Sequence, residues 1–335
     1  MPLIRVQDLV KEFRRTKRQL GRFGALRTLV TRQVEITRAV DGISFAVDEG
    51  DLLGYIGSNG AGKSTTIKIL TGILVPTSGE VEVAGLVPWQ QRERNALNMG
   101  VVFGQRSQLW WDLPLIESFK LIARMYRVPA DTYRHNLDRF TALLELEGFL
   151  QTPVRQLSLG QRMRGDLVAA LLYEPPIVYL DEPTVGLDVL AKERVRDFIA
   201  EINRERGTTV ILTTHDLGDV ERLCRRILLI DQGRVVYDGS VEQLKARYAP
   251  YRMLVLQMAH DGSESADQVA SALPSVEQVR HDGVQVELRF DPMQVPVAAL
   301  IADVTGRYAV TDLSLEEPDL EQVVRRIYER SGAAS

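Results

Sequence analysis

The segment Gly57-Ser58-Asn59-Gly60-Ala61-Gly62-Lys63-Ser64 constrains this chain more than any other stretch. It stands between Asp51–Ile56, an apolar run of strand length, and Lys63–Leu70, which reads as a helix. A phosphate group needs several converging N–H donors, and glycine lets the backbone curl that closely without a Cβ clash. The helix that follows turns the positive end of its dipole toward the same point. Strand, glycine-rich turn and helix in this order predict a P-loop inside an α/β domain. The expected nucleotide contacts run from Gly57, Ser58, Asn59, Gly60, Ala61 and Gly62 through Lys63, Ser64 and Thr65. Lys63 is expected at the β- and γ-phosphates, and the Ser64 hydroxyl on Mg²⁺. By itself the loop says only that a nucleoside triphosphate binds.

A second signal adds chemistry. Ile177-Val178-Tyr179-Leu180-Asp181-Glu182 is an apolar strand that ends in two carboxylates. Asp181 suits a Mg²⁺ site reached through water. Glu182 suits a general base that polarises an attacking water, an effect typically worth ~10²–10⁴-fold in rate.

Strand-like and helix-like segments alternate from Leu3 to about Tyr248, with Thr209–Thr213 as a third central strand. Arg226–Ile230 and Arg234–Tyr237, joined by Asp231-Gln232-Gly233, read as a hairpin. A chain of 335 residues exceeds the usual compact domain, so two domains are expected, divided at 248/249. After Pro250, strands are expected at Tyr251–Met258, Val276–Val279, Val284–Phe290 and Ala309–Leu313. Helices are expected at Asp267–Leu273, Val295–Tyr308 and Leu320–Arg330, an order that resembles a ferredoxin-like α+β unit. Near the start, residues 14–38 carry eight arginines and lysines against Glu35 alone. Leu20, Phe23, Leu26, Val30 and Val34 fall at helical spacing there, although Gly21 and Gly24 weaken such a helix by about 1 kcal/mol each.

The net charge of −4 argues against a general polyanion binder, so no nucleic-acid partner is expected. Cys224 has no second cysteine to pair with and reads as a small buried apolar residue, as in a reducing cytosol. No apolar run approaches the ~20 residues needed to cross a bilayer, and the N-terminus lacks a secretory layout.

Between the two phosphate-site signals lies Leu157-Ser158-Leu159-Gly160-Gln161, directly before a long helical stretch. This resembles the signature motif of ABC ATPases. The resemblance implies a RecA-like core with a helical subdomain at about 106–175. In that family Ser158, Gly160 and Gln161 would grip the γ-phosphate of ATP held by the opposite subunit. Leu159 replaces the usual glycine, and leucine reaches positive φ only at a cost, so a change in local geometry or in affinity for the partner's nucleotide is expected there.

Further positions match the family in order. Gln105, in Val101-Val102-Phe103-Gly104-Gln105, resembles the Q-loop glutamine near Mg²⁺ and the attacking water. Gly186-Leu187-Asp188 resembles the D-loop that communicates across the dimer, and His215 the switch histidine at the γ-phosphate. Phe13 resembles the aromatic that stacks on adenine. The resemblance implies an ATP-hydrolysing motor subunit, a homodimer with ATP between subunits, at the cytoplasmic face of the cell membrane. Separate transmembrane permease subunits are implied as partners.

Translation-type relatives usually carry two ATPase domains per chain, and chromosome-maintenance relatives a long coiled coil; neither pattern occurs in this sequence. The alternative is a non-transport ABC ATPase that remodels a soluble complex. Arg106-Ser107-Gln108-Leu109-Trp110-Trp111-Asp112-Leu113-Pro114 is similar to a bacterial type-2 exporter subgroup linked to viologen and drug efflux. Export is therefore the expected direction. Trp110 and Trp111 are expected either as anchors for a membrane partner or as internal packing.

Overall fold

The computed structural model describes residues 2–16, 34–104, 106–259, 273, 276 and 278–332. Gln105, the apolar positions Leu20, Phe23, Leu26 and Val30, and the expected helix at 267–273 up to residue 272 lie outside the described residues. The chain divides into two compact units, Met1–Gly239 and Ser240–Ser335; the sequence reading drew that line at 248/249.

The first unit is built on a six-stranded sheet in the order β5-β6-β7-β3-β8-β9. Its strands are β3 (Leu52–Gly57), β5 (Met99–Phe103), β6 (Ile177–Asp181), β7 (Thr209–Thr213), β8 (Arg226–Asp231) and β9 (Arg234–Ser240). β5 through β8 and β3 pair in parallel, and β9 returns beside β8 after Gln232-Gly233, both at positive φ. Such a two-residue turn suits a hairpin. Strands covered on both faces read as continuous apolar runs, and β7 is buried at all five positions.

A second, antiparallel sheet has the order β2-β1-β4, from β1 (Ile4–Thr16), β2 (Val34–Val47) and β4 (Ser78–Val83). Here the two ends of the basic segment 14–38 are strand, and of the positions at helical spacing only Val34, in β2, is among the described residues. Arg14–Thr16 and Val34–Arg38 are strand, paired from Arg14↔Ile36 to Thr16↔Val34. Ile4, Val6, Leu9, Ile43 and Val47 of this sheet join Tyr55, Ile67, Leu70 and Tyr179 in one core.

Helix α1 (Lys63–Leu70) follows the P-loop, and α2 (Arg92–Leu97) precedes β5. Then come α3 (Leu115–Met125), α4 (Ala130–Leu144) and α5 (Leu159–Leu171). Helix α6 (Val189–Arg206) joins β6 to β7, and α7 (Leu217–Leu223) joins β7 to β8. Phe140 of α4 meets Phe198 of α6 edge to face at 5.3 Å, a favourable geometry for two rings. Cys224 is buried beside Gly54, where a Cβ would fall 2.8 Å from Val220 Cγ1, and burial pushes its thiol pKa up.

The second unit holds α8 (Val241–Tyr248), β10 (Arg252–Met258), β11 (Gln278–Asp282), β12 (Gln285–Phe290), α9 (Val297–Arg307), β13 (Val310–Glu316) and α10 (Leu320–Gly332). Its sheet, β11-β12-β10-β13, is antiparallel throughout, the strand arrangement of a ferredoxin-like unit. Leu254, Leu256, Leu288 and Phe290 bury one face with Leu300 and Val304 of α9. Among the described residues no helix is long and apolar enough to cross a membrane.

Candidate functional site

The carboxyl ends of neighbouring parallel strands open a cleft of about 670 Å³, where ligands of open α/β sheets bind. Asn59, Gly60, Gly62, Lys63, Ser64 and Thr65 line it from β3 and α1; Asp181 and Glu182 line it from β6, and His215 from the end of β7. The loop is locked from behind. Gly62 has φ 109°, and a Cβ there would lie 2.4 Å from the Ala39 carbonyl of β2, so the loop can press against that strand only as glycine. Tyr55 Oη donates to Thr66 Oγ1 at 3.0 Å, which donates to the Gly62 carbonyl at 3.1 Å. Ser58 Oγ donates to Asp231 Oδ1 at 3.0 Å.

Lys63 Nζ donates to the carbonyls of Gly57 and Ser58 at 2.7 and 3.2 Å, curled over the loop. Partial burial lowers its pKa, while the charges of Glu182 and Asp181 act in the opposite sense. An anion that enters the loop meets an ammonium already in place.

The two carboxylates differ in their surroundings. Asp181 Oδ1 accepts a hydrogen bond from Thr213 Oγ1, its direct partner in the parallel register. Glu182 has φ 57°, in the left-handed region, and its N–H donates to the Thr213 carbonyl at 2.8 Å. Its Oε2 lies 2.7 Å from His215 Nδ1. A carboxylate only accepts, so Nδ1 carries the proton and a neutral ring presents a bare Nε2. Sequence reading missed Thr213, since only strand register reveals it, and Arg106, which lines the cleft beside the expected Gln105 position.

Oxygen donors of the kind Mg²⁺ prefers, the Ser64 hydroxyl and the Asp181 carboxylate, share the cleft. Among the described residues no group of three or more His, Cys, Asp or Glu could hold a metal alone. One hydroxyl and one carboxylate in the cleft suit an ion that substrate phosphates also bind.

Residues 40–185 match the family described as ABC transporter. The chain is 31% identical over 294 residues to the daunorubicin resistance ATP-binding protein DrrA3 of Streptomyces coeruleorubidus, covering 85% of this chain and 90% of that one. The chain belongs to the ABC transporter ATP-binding family. ATP binding, ATP hydrolysis and service as the ATP-binding subunit of a transporter come with that membership. It is also 36% identical over 219 residues to the Nod factor export ATP-binding protein I of Burkholderia pseudomallei, covering 64% of this chain and 70% of the relative. Among solved structures, the dimeric post-hydrolysis state of the ATP-binding cassette MJ0796 bound to ADP and Pi is similar, with a TM-score of 0.59 and 26% identity. It covers 71% of this chain and 98% of its own.

The ABC signature residues Ser158, Gly160 and Gln161, and Asp188, are not among the residues lining the P-loop cleft. Ser158 caps α5: its Oγ accepts from Gln161 N at 3.2 Å, and Gln161 Oε1 accepts from Ser158 N at 2.9 Å. Ser158 uses a lone pair in this way and keeps its O–H to donate. Asp188 caps α6, accepting from Ala191 N at 2.9 Å. Leu159 corrects an expectation. It is the first residue of α5 and is not among the positive-φ residues, so leucine carries no backbone strain at this position. Phe13 is 37% exposed on β1, with Lys11 Nζ 5.3 Å from its ring centre, and is not among the residues lining the cleft.

Trp110 and Trp111 are exposed, at 37% and 52%, so the packed-inside alternative fails. A second cleft of about 410 Å³ adjoins them, lined by Arg106, Leu109, Trp111, Arg162 and Met163 among others. Val154 N donates to Leu113 O at 3.0 Å and Arg155 N to Trp111 O at 2.9 Å, which ties this segment to the approach of the signature.

Proposed function

We propose that this chain drives export by closing as a homodimer on two ATP molecules, each held by the P-loop of one subunit and the α5 N-terminus of the other. In this reading Lys63 holds the β- and γ-phosphates, Ser64 and Asp181 with Gln105 hold Mg²⁺, and Phe13 stacks on adenine. Mg²⁺ supplies charge neutralisation for the leaving phosphates. Glu182 accepts the proton of the attacking water. His215 contacts the γ-phosphate once its ring leaves Glu182 or gains a second proton, because only then does it offer a donor. Asp188 signals across the dimer. Separation of the signature residues from the P-loop cleft supports assembly in trans, and the dimeric form of the MJ0796 cassette agrees with it.

Export is favoured by the relatives named for drug resistance and Nod factor export. The work would be delivered to transmembrane permease subunits at the cytoplasmic face of the membrane, through Trp110 and Trp111. ATPase activity would reside within residues 1–239, with the 240–335 unit as an accessory element of the dimer. Comparing the oligomeric state of the full chain with that of a chain ending at Gly239 reads that contribution.

The observation that carries the catalytic assignment is the 2.7 Å approach of His215 to Glu182 beside Lys63 and Asp181. Glu182→Gln should retain ATP and trap an ATP-bound dimer, with hydrolysis down by about 10²-fold or more. Wild-type turnover in that variant would remove Glu182 from the role of base.

A further inference from the structure

Loop 182–188 runs from Glu182 at the cleft to Asp188 at the cap of α6. Its near part is anchored: Thr184 Oγ1 bonds the buried carboxylate of Asp219, which is also held by Arg196. Its far end is anchored by the Asp188 cap. The stretch between, Val185–Leu187, has two long main-chain bonds of its own, Val185 N to Glu182 O and Leu187 N to Thr184 O, both 3.3 Å. From outside the loop comes one side chain of α5. A Cβ placed on Gly186 would lie 2.5 Å from Leu159 Cδ2, so the leucine occupies the space above that glycine. The next pair repeats the approach, with a Cβ on Gly160 falling 3.2 Å from Leu187 Cδ2.

The geometry points to Leu159 as a positioning residue that braces loop 182–188 against the N-terminus of α5 within one subunit. It thereby fixes the relation between Glu182, which serves the subunit's own ATP, and Ser158, which serves the partner's. A glycine at 159 would remove the side chain that stands over Gly186 among the described residues. The inference rests on the assignment of Glu182 and the α5 N-terminus to two different nucleotides.

The test is a double-mutant cycle on the full-length protein, with Leu159→Ala, Gly186→Ala and the pair. Alanine keeps α5 helical while deleting the contact. Leu159→Ala should lower kcat about tenfold with KM for ATP unchanged, as a misplaced rather than missing base would. Leu159→Met, which still covers Gly186, should restore kcat to within about twofold of wild type. Gly186→Ala strains a residue at φ 71° and displaces the leucine, so Leu159→Ala should have no further effect in that background. Independent, multiplying losses in the double variant would overturn the brace, as would an increased KM at unchanged kcat. Hydrogen exchange at the Val185–Leu187 amides is read in parallel and should accelerate in Leu159→Ala. Unchanged exchange there rejects the brace even if turnover falls. Wild-type turnover in Glu182→Gln alongside accelerated exchange would instead reject the catalytic assignment and leave the contact standing.

Discussion

Glu182 is held where a residue with a Cβ is uncomfortable. A left-handed backbone costs a non-glycine residue about 1–2 kcal/mol, and Glu182 adopts φ 57° with its N–H fixed to Thr213 O. Strain of this kind persists at sites where geometry serves function. Glu182→Gly should therefore melt about 2–4 °C higher than wild type while losing hydrolysis. A lower melting temperature by calorimetry would show that the His215 contact outweighs the backbone term. The residue type and the carboxyl-terminal end of an apolar strand made Glu182 legible in the sequence. Its backbone was not legible, because the turn that imposes φ 57° depends on strand β7. The Thr213–Asp181 bond was hidden for the same reason: two strands 32 residues apart had first to be set in register. At Leu159 the expected cost of positive φ does not arise, because the Ser158 capping box makes it the first residue of α5.

Helix α5 carries a buried acid that the catalytic scheme leaves unused. Asp166 Oδ1 accepts from Ser107 Oγ and from Gln108 N, both at 3.0 Å, and so moors the segment that follows position 105. Burial outweighs these bonds, and its pKa is pushed up to about 6. A carboxyl group with a raised folded-state pKa holds its proton longer in the folded chain than in the unfolded one. Its contribution is then most favourable below pH 4 and is lost as pH rises through 6. Asp166→Asn keeps the accepting oxygen and removes the charge. The variant should match wild type in stability near pH 4 and exceed it by roughly 1–3 kcal/mol at pH 7. Denaturant titrations at the two pH values measure this, and an equal difference at both would exclude the buried charge as cause. Nothing in the sequence distinguished this aspartate from a solvated one, because its partners lie 58 and 59 residues away.

At the scale of the molecule, the coupling role proposed for Trp110 and Trp111 can be read apart from turnover. Trp110 and Trp111 are exposed on a segment held by Arg155 and Val154 and lie outside the P-loop cleft. An exposed tryptophan anchor commonly accounts for about 2 kcal/mol or more of an interface. Replacing both with alanine should leave hydrolysis by the isolated subunit within about twofold and abolish transport in reconstituted vesicles. Unimpaired transport would remove both indoles from the interface. The alternation of strands and helices announced the α/β unit, yet it could not announce the order β5-β6-β7-β3-β8-β9. That order places β3, which bears the P-loop, between β7 and β8, strands that begin at Thr209 and Arg226. A nascent chain that has passed the P-loop still lacks both neighbours of the strand that holds it. At synthesis rates of about 5–20 residues per second, the wait until Asp231 is made is roughly 9–35 s, with β3 present but neither sheet neighbour complete. The ATP site is an early part of the message and a late part of the fold.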